Sequence, residues 1–231
     1  MSVIEVENLE KIYMDGHVEV RALRGVNLTI DKGEFTVLAG PSGSGKTTLL
    51  NIIGALDAPT TGAVRVDGRD LSSLSSKELS QLRRDKIGFV FQAYNLIPVL
   101  TGVENVEFIL MIQGMDAKTR RQKAEEVLIR VGLTDQMHRR PVDMSGGQQQ
   151  RVAVARAIVS EPAIVLADEP TANLDSKTAG DLLELMERLN ADQHITFVFS
   201  SHDRNVIDRA RRLVRLHDGQ IADDGRSQGA A

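Results

Sequence analysis

The octet Gly40-Pro41-Ser42-Gly43-Ser44-Gly45-Lys46-Thr47 constrains this chain more than any other feature. It has the spacing G-x-x-x-x-G-K-[ST] and lies between an apolar run, Phe35-Thr36-Val37-Leu38-Ala39, and a segment from Lys46 to Leu56 that reads as helix. A short buried strand that feeds such a loop and then a helix is the context phosphate binding requires. Glycines let the backbone curl until successive N–H groups face phosphate oxygens, and the following helix adds its positive end. In this arrangement Lys46 sets a compact cation on the β- and γ-phosphates, and the Thr47 hydroxyl can ligate Mg²⁺.

The pattern around the octet predicts the fold class. Residues 1–35 alternate apolar and polar side chains (Ile4, Val6; Val18, Val20; Val26, Leu28, Ile30), as strands with one wet face do. Asp31–Glu34 reads as a turn, Asp57–Gly62 ends the first helix, and Ala63–Val66 and Ile87–Phe91 are further strands. From Val103 to Ser160 strand signals vanish and apolar residues fall at helical spacing, as at Ala124, Val127, Leu128 and Val131. Strand returns at Ala163–Ala167, helix at Lys177–Leu189 and strand at Ile195–Ser200. Such alternation predicts an α/β fold with a parallel sheet and crossover helices, interrupted by a helical insert. The polar run Asp223–Ala231 reads as a frayed tail.

Composition narrows the function. The 231 residues are 42% hydrophobic and 26% charged, which excludes a mostly disordered chain. With no cysteine there is no disulfide framework, thiolate zinc site or cysteine nucleophile. A net charge of -4 gives no general attraction to nucleic acid, and aromatics at 3% with no Trp argue against a base-stacking platform. Acidic residues interrupt the first turns at Glu5 and Glu7, and no apolar run approaches the ~20 residues of a spanning helix. The sequence therefore predicts a protein that does not cross a membrane itself.

Two further segments carry chemistry. Ile164-Val165-Leu166-Ala167-Asp168-Glu169 is an apolar strand ending in two acids. Asp168 suits the carboxylate that holds a metal through its water shell, and Glu169 a general base or water-orienting group. Met144-Ser145-Gly146-Gly147-Gln148 opens a helix running through Ala157, a second place where amides, a hydroxyl and a helix dipole face an anion. One nucleotide does not need two such loops from one chain. A two-fold dimer resolves this, with each nucleotide between the phosphate loop of one copy and the Ser-Gly-Gly helix of the other.

The order of phosphate loop, Gln92, Ser-Gly-Gly-Gln, Asp168-Glu169, Asn173-Leu174-Asp175 and His202 resembles the nucleotide-binding subunit of ATP-binding-cassette (ABC) transporters over nearly the whole chain. Within that family, Thr48-Leu49-Leu50-Asn51-Ile52-Ile53-Gly54, Gly88–Gln92, Asn95–Pro98 and Leu166–Thr171 resemble the LolD/MacB-like group, which serves lipoprotein release and the export of macrolides or peptides. The resemblance implies a P-loop NTPase with a RecA-like parallel sheet, an N-terminal antiparallel β subdomain and an inserted α-helical subdomain. It divides the single domain into a catalytic core with its β subdomain (1–92 and 161–222), a helical subdomain (93–160) and a tail (223–231). It implies ATP and Mg²⁺ as cofactors, with Thr47, Gln92 and Asp168 at the metal and Glu169, His202, Lys46 and Gln92 in catalysis. Nucleotide contacts fall to Tyr13, on which adenine stacks, to Gly40, Pro41, Ser42, Gly43, Ser44, Gly45, Lys46, Thr47 and Thr48, and to Ser145, Gly146, Gly147, Gln148 and Asp175. His17, His138, His194 and His217 read as surface residues.

The resemblance further implies a homodimer with ATP at its interface, joined to FtsX/MacB/LolC-E-like permease subunits on the cytoplasmic face of the inner membrane. Leu96, Ile97, Val99 and Leu100 then line a docking groove or belong to the core of the insert. Three departures from the family pattern stand out: Met144 for the usual Leu, Ser200-Ser201-His202 for the usual apolar-Thr-His, and the Ala172-Asn173 variant. Two alternatives follow from other classes. One is a signalling complex that uses the same cassette without transport. The other is a soluble ATPase on nucleic acid or ribosomes, disfavoured by the lack of sustained heptads between phosphate loop and signature, by the single cassette and by the absence of a basic patch.

Overall fold

The computed structural model describes residues 1–16 and 18–226, the side chain of Arg226 excepted. The reading of His17 lies outside them. β1 (Ser2–Asp15) and β2 (Val18–Asp31) form an antiparallel hairpin in which Ile4 faces Ile30 and Val6 faces Leu28. β4 (Thr61–Val66) adds to the other edge of β1, and the two residues of β5 (Arg69–Asp70) close a four-stranded sheet of order β2-β1-β4-β5. The alternation read from sequence is the alternation of burial at Ile4, Val6, Val26, Leu28 and Ile30, but Val18 and Val20, at the outer end of the hairpin, are exposed.

The second sheet has six strands. β9 (Arg212–His217), β3 (Phe35–Ala39), β8 (Thr196–Ser201), β7 (Ile164–Asp168) and β6 (Ile87–Phe91) lie parallel in that order, and β10 (Gln220–Arg226) pairs antiparallel with β9. All five residues of β3 are buried, because both faces are covered. Phe35, Val37, Val165, Phe197 and Phe199 face one core, and Leu38, Leu166 and Val198 face the other. The first core is filled by α3 (Gly102–Ile112), α4 (Ala117–Arg130), α5 (Gly146–Ile158) and α6 (Ser176–Gln193). The second is filled by α1 (Lys46–Ile53), α2 (Ser76–Lys86) and the four-stranded sheet. Arg212, at the start of β9, ties the sheets together: its guanidinium donates to Thr29 O, to Glu34 Oε2 at 2.9 Å and bidentately to Asp224 at 2.9 and 2.8 Å.

Four expectations need correction. α1 stops at Ile53 rather than Leu56, because the Ala55 amide bonds back only three residues, to Ile52 O at 2.9 Å, and Ala55 turns left-handed at φ 54°. α2 was not anticipated; it is a polar helix with only Leu82 buried, and a Ser75/Glu78 capping box starts it. The pair β9–β10 was not anticipated either. Asp223–Arg226, read as the start of a frayed tail, complete β10, with Asp224 opposite Val214. The rest of that tail lies outside the described residues. Between β8 and β9 lies α7 (Arg204–Ile207), a single turn capped by Asp203.

Candidate nucleotide-binding site

The parallel strands β3, β8, β7 and β6 all point their C-terminal ends at one edge, where an open α/β sheet binds ligands. β3 runs into the glycine loop. Gly45, the residue before α1, takes φ 100°, and a Cβ there would stand 2.6 Å from Ala22 O, so glycine is required. No side chain caps α1, and its first helical bond is Leu49 N to Gly45 O at 2.9 Å. The amides of Lys46, Thr47 and Thr48 therefore have no helical acceptor. Ser44 Oγ, in the same loop, is buried without a partner. Lys46 Nζ folds back on Gly40 O at 2.7 Å and Pro41 O at 2.9 Å, which leaves one of its three hydrogens. Burial pushes its pKa below the ordinary value, against the pull of Glu169 and Asp168. A phosphate here would satisfy open amides, an orphan hydroxyl and a desolvated cation together.

β7 and β8 bring the acids and the imidazole to this loop. Thr47 Oγ1 donates to Asp168 Oδ1 at 3.1 Å, and Ser200 Oγ donates to the same oxygen. Glu169 turns left-handed at φ 45°, its amide bound to Ser200 O at 3.0 Å. Its Oε2 accepts from Ser201 Oγ at 3.1 Å, and its Oε1 lies 2.6 Å from His202 Nδ1. With the carboxylate ionised, Nδ1 is the nitrogen that carries hydrogen. Ser200, which departs from the usual apolar residue, thus becomes a donor to Asp168. The apolar strand β8 ends in two hydroxyls that each hold one of the acids.

Gln92 follows β6 in a turn, where its Nε2 meets Asn173 Oδ1 at 3.4 Å and its carbonyl accepts from Asn173 Nδ2 at 3.0 Å. Tyr13, on β1, is 38% exposed, and its hydroxyl donates to Asp57 Oδ2 at 2.7 Å. Of the docking residues, Leu96 packs on the main core, whereas Val99 is 70% exposed. His138, His194 and His217 are exposed.

The Ser-Gly-Gly segment is built differently. Ser145 Oγ accepts from Gln148 N at 3.3 Å while Gln148 Oε1 accepts from Ser145 N at 3.0 Å, a capping box that closes the start of α5. A Cβ on Gly147 would stand 2.3 Å from Thr178 Cγ2, so this glycine is already demanded by its own chain. Asp175 caps α6 through Lys177 N at 3.1 Å and Thr178 N at 3.0 Å, and Thr178 Oγ1 donates to it at 2.6 Å. Among the described residues, no hydrogen bond joins Ser145–Gly147 to Gly40–Thr48.

Gln150 is a residue that the sequence reading missed. It is fully buried on α5, and its Nε2 donates to Pro170 O at 2.7 Å and Phe91 O at 3.3 Å. It therefore ties the Ser-Gly-Gly helix to the residue before Gln92 and the residue after Glu169. The signal was a polar residue in a stripe of buried apolar positions, with Val154 and Ala157 below it at helical spacing. Arg156, two turns on, donates to Asn95 O and, at 2.9 Å, Tyr94 O, holding the left-handed pair that follows Gln92.

A sheet edge that offers open amides and a cation to phosphates, with carboxylates at the neighbouring strand ends, defines a nucleoside-triphosphatase of the phosphate-loop class. The profile of the ABC transporter family matches residues 23–172, and the chain belongs to that family as its ATP-hydrolysing cassette. An uncharacterized ABC transporter ATP-binding protein of Thermotoga maritima is 48% identical over 219 residues, covering 95% of this chain and 93% of that one. The macrolide export ATP-binding/permease protein MacB of Hyphomonas neptunium is 46% identical over 230 residues; these cover 99% of this chain but only 36% of that longer protein. A solved structure of a dimeric post-hydrolysis state of an ATP-binding cassette, bound to ADP and Pi, aligns with TM-score 0.90 and 44% identity over 98% of this chain and 100% of that one.

Proposed function

We propose that two copies of this chain close head to tail around two ATP molecules and drive a membrane permease. The observation that carries this is the pair of helix starts. α1 is open and lies beside the acids, whereas Ser145–Gly147 has no hydrogen bond to that loop among the described residues. Each nucleotide then lies between the phosphate loop Gly40–Thr48 of one copy and the Ser145-Gly146-Gly147 edge of the other, with Gln148 and Asp175 beside the seam. ATP favours closure because its γ-phosphate makes contacts there that ADP cannot make.

In the closed site Lys46 offsets charge on the transferred phosphoryl group, and Glu169 orients the attacking water and takes its proton. His202, already on Glu169, holds that carboxylate in place. Thr47, Asp168 and Gln92 offer hydroxyl, carboxylate and amide oxygens, the hard donors that suit Mg²⁺. Among the described residues no three His, Asp or Glu gather into a metal cage, as fits an ion that takes its other ligands from water and phosphate. When bound, the ion neutralises charge on the phosphate oxygens.

A groove of about 370 Å³ supports a permease partner; Leu56, Phe89, Phe91, Phe108 and Ile112 line it, and Arg156 reaches in from α5, where it also holds the segment after Gln92. Among the described residues no helix is long and apolar enough to cross a membrane, so the partner would supply the membrane path. On this reading the cassette works at the cytoplasmic face of the cell membrane, with a lipoprotein, macrolide, peptide or lipid as cargo. Co-purification with a permease of the FtsX/MacB type is the expected result; a cassette that recovers only soluble partners would contradict it.

The test of the nucleotide seam is Glu169→Gln. It keeps ATP binding, loses roughly 100-fold or more of its turnover, and sediments as an ATP-dependent dimer. Wild-type turnover in this variant would contradict the role given to Glu169.

A further inference from the structure

Tyr13 does not stand alone on β1. Its hydroxyl donates to Asp57 Oδ2 at 2.7 Å, and Asp57 Oδ1 accepts from Lys11 Nζ and from Ala58 N, both at 2.7 Å. Lys11 Nζ also donates to Ala58 O at 2.7 Å and lies 4.8 Å from the centroid of the Tyr13 ring. The lysine side chain is only 12% exposed, so the ring, the carboxylate and the ammonium form one closed group. Asp57 itself is fixed to the end of α1, where the amides of Leu56 and Asp57 both bind Asn51 O, at 2.8 and 3.3 Å. The helix whose first turn opens to phosphates therefore carries at its other end the anchor of the exposed ring. Burial and the Asp57 acceptor hold the phenol proton above its ordinary range, so the hydroxyl remains a donor.

We propose that Asp57 and Lys11 are positioning residues for the nucleobase. They fasten Tyr13 by its hydroxyl and cover one face of its ring, so that the opposite face is presented in a fixed orientation for adenine to stack on. The gain is preorganisation. A half-exposed tyrosine would otherwise have to be ordered when the nucleotide binds, and that ordering would reduce affinity. The inference rests on the reading of Tyr13 as the adenine platform and adds the residues that make the platform rigid.

The experiment compares two ligands on the full chain by calorimetry: a nonhydrolysable ATP analogue and inorganic tripolyphosphate, which has no base. Tyr13→Ala weakens the ATP analogue about 10-fold, the size of one lost base stack, and leaves tripolyphosphate unchanged. Asp57→Ala weakens the ATP analogue by roughly 5-fold with tripolyphosphate again unchanged, and adds nothing once Tyr13 is Ala, because the two act as one unit. Lys11→Met shows the same selectivity with a smaller loss, about 2-fold. Asp57→Asn, which keeps the size but has one oxygen where Tyr13 uses Oδ2 and Lys11 and Ala58 use Oδ1, stands in if the alanine variant does not fold, and it too weakens only the base-bearing ligand.

An Asp57 variant that weakens both ligands alike would make Asp57 a merely structural residue and overturn the inference. An Asp57 variant that weakens neither, beside a sensitive Tyr13→Ala, overturns the inference but leaves the platform intact. An insensitive Tyr13→Ala removes the platform and the inference with it, while intact tripolyphosphate binding would still uphold the phosphate loop.

Discussion

α1 and α5 begin with glycine-rich segments that look alike in sequence, yet their first turns are finished in opposite ways. Gly45 brings no side chain to α1, so the amides of its first turn stay open. Ser145 and Gln148 cap α5 reciprocally. An uncapped helix start beside a desolvated lysine is incomplete until an anion arrives. A capped start is stable alone and has only its outer edge to offer. On the proposed reading the tight nucleotide contacts fall to the phosphate loop, and the Ser-Gly-Gly edge senses a ligand held by the other copy.

The largest expected effect breaks the two apart. Lys46→Ala weakens ATP binding by about 100-fold, since a charge-assisted contact to phosphate is lost. Ser145→Ala leaves binding to the monomer within about 2-fold and lowers turnover about 10-fold. Equilibrium binding and steady-state ATPase on both variants decide the matter, and equal losses of binding would erase the distinction.

The next prediction asks whether Gly147 serves packing or ligand. Gly147→Ala brings a Cβ to within 2.3 Å of Thr178 Cγ2 and costs about 1–3 kcal/mol. Adding Thr178→Ser removes that methyl and restores most of the melting temperature. If turnover stays low while stability returns, the glycine is needed for the approach of the nucleotide as well.

Gln150→Met tests the link from α5 to the open site. It leaves the Pro170 carbonyl without the Gln150 donor, while Phe91 O keeps the Tyr94 amide, at about 1–3 kcal/mol, and lowers turnover with ATP affinity unchanged. An unaltered kcat would mean that Gln150 only supports the fold.

The smallest effect concerns the cap of α6. The Thr178 hydroxyl and the helix amides hold the Asp175 carboxyl below its ordinary range. A lowered folded-state pKa contributes stability that is present above the unfolded value and lost as pH falls through the folded one. Asp175→Asn still caps the helix but does not titrate. Urea midpoints should therefore converge with wild type at acid pH and separate slightly near neutrality.

Much of the site was legible because it is local. Lys46 and Thr47 open the helix that follows a glycine loop, Asp168 and Glu169 sit at a strand end, and both settings are recognisable within a few residues; β3, β7 and β8 read as strands because both of their faces are buried. α2 was illegible because a helix that buries one residue, Leu82, has no apolar period to detect. β9 hid for a related reason: its inward positions are Arg212, Val214 and Leu216, and an arginine in a core position breaks the count. Gln150 and Asp57 carry no local motif, and apart from the Ala58 amide the partners of their side chains lie 20 to 59 positions away. Ser200 was visible only as a departure; its contact with Asp168 exists because β7 and β8 pair in register, Asp168 opposite Ser200.

What the sequence determined alone is which chemical groups exist and which short segments can curl, extend or coil around them: glycines before a lysine, acids after an apolar strand, a serine able to cap. The tertiary structure decided which of those groups remain unsatisfied. A hydrogen bond needs its partner within about 3 Å, and at separations of dozens of residues only strand order, register and helix packing set that distance. Thus Gly45 and Ser145, both helix starts in the sequence, differ in function because folding leaves one open beside Asp168 and closes the other on itself.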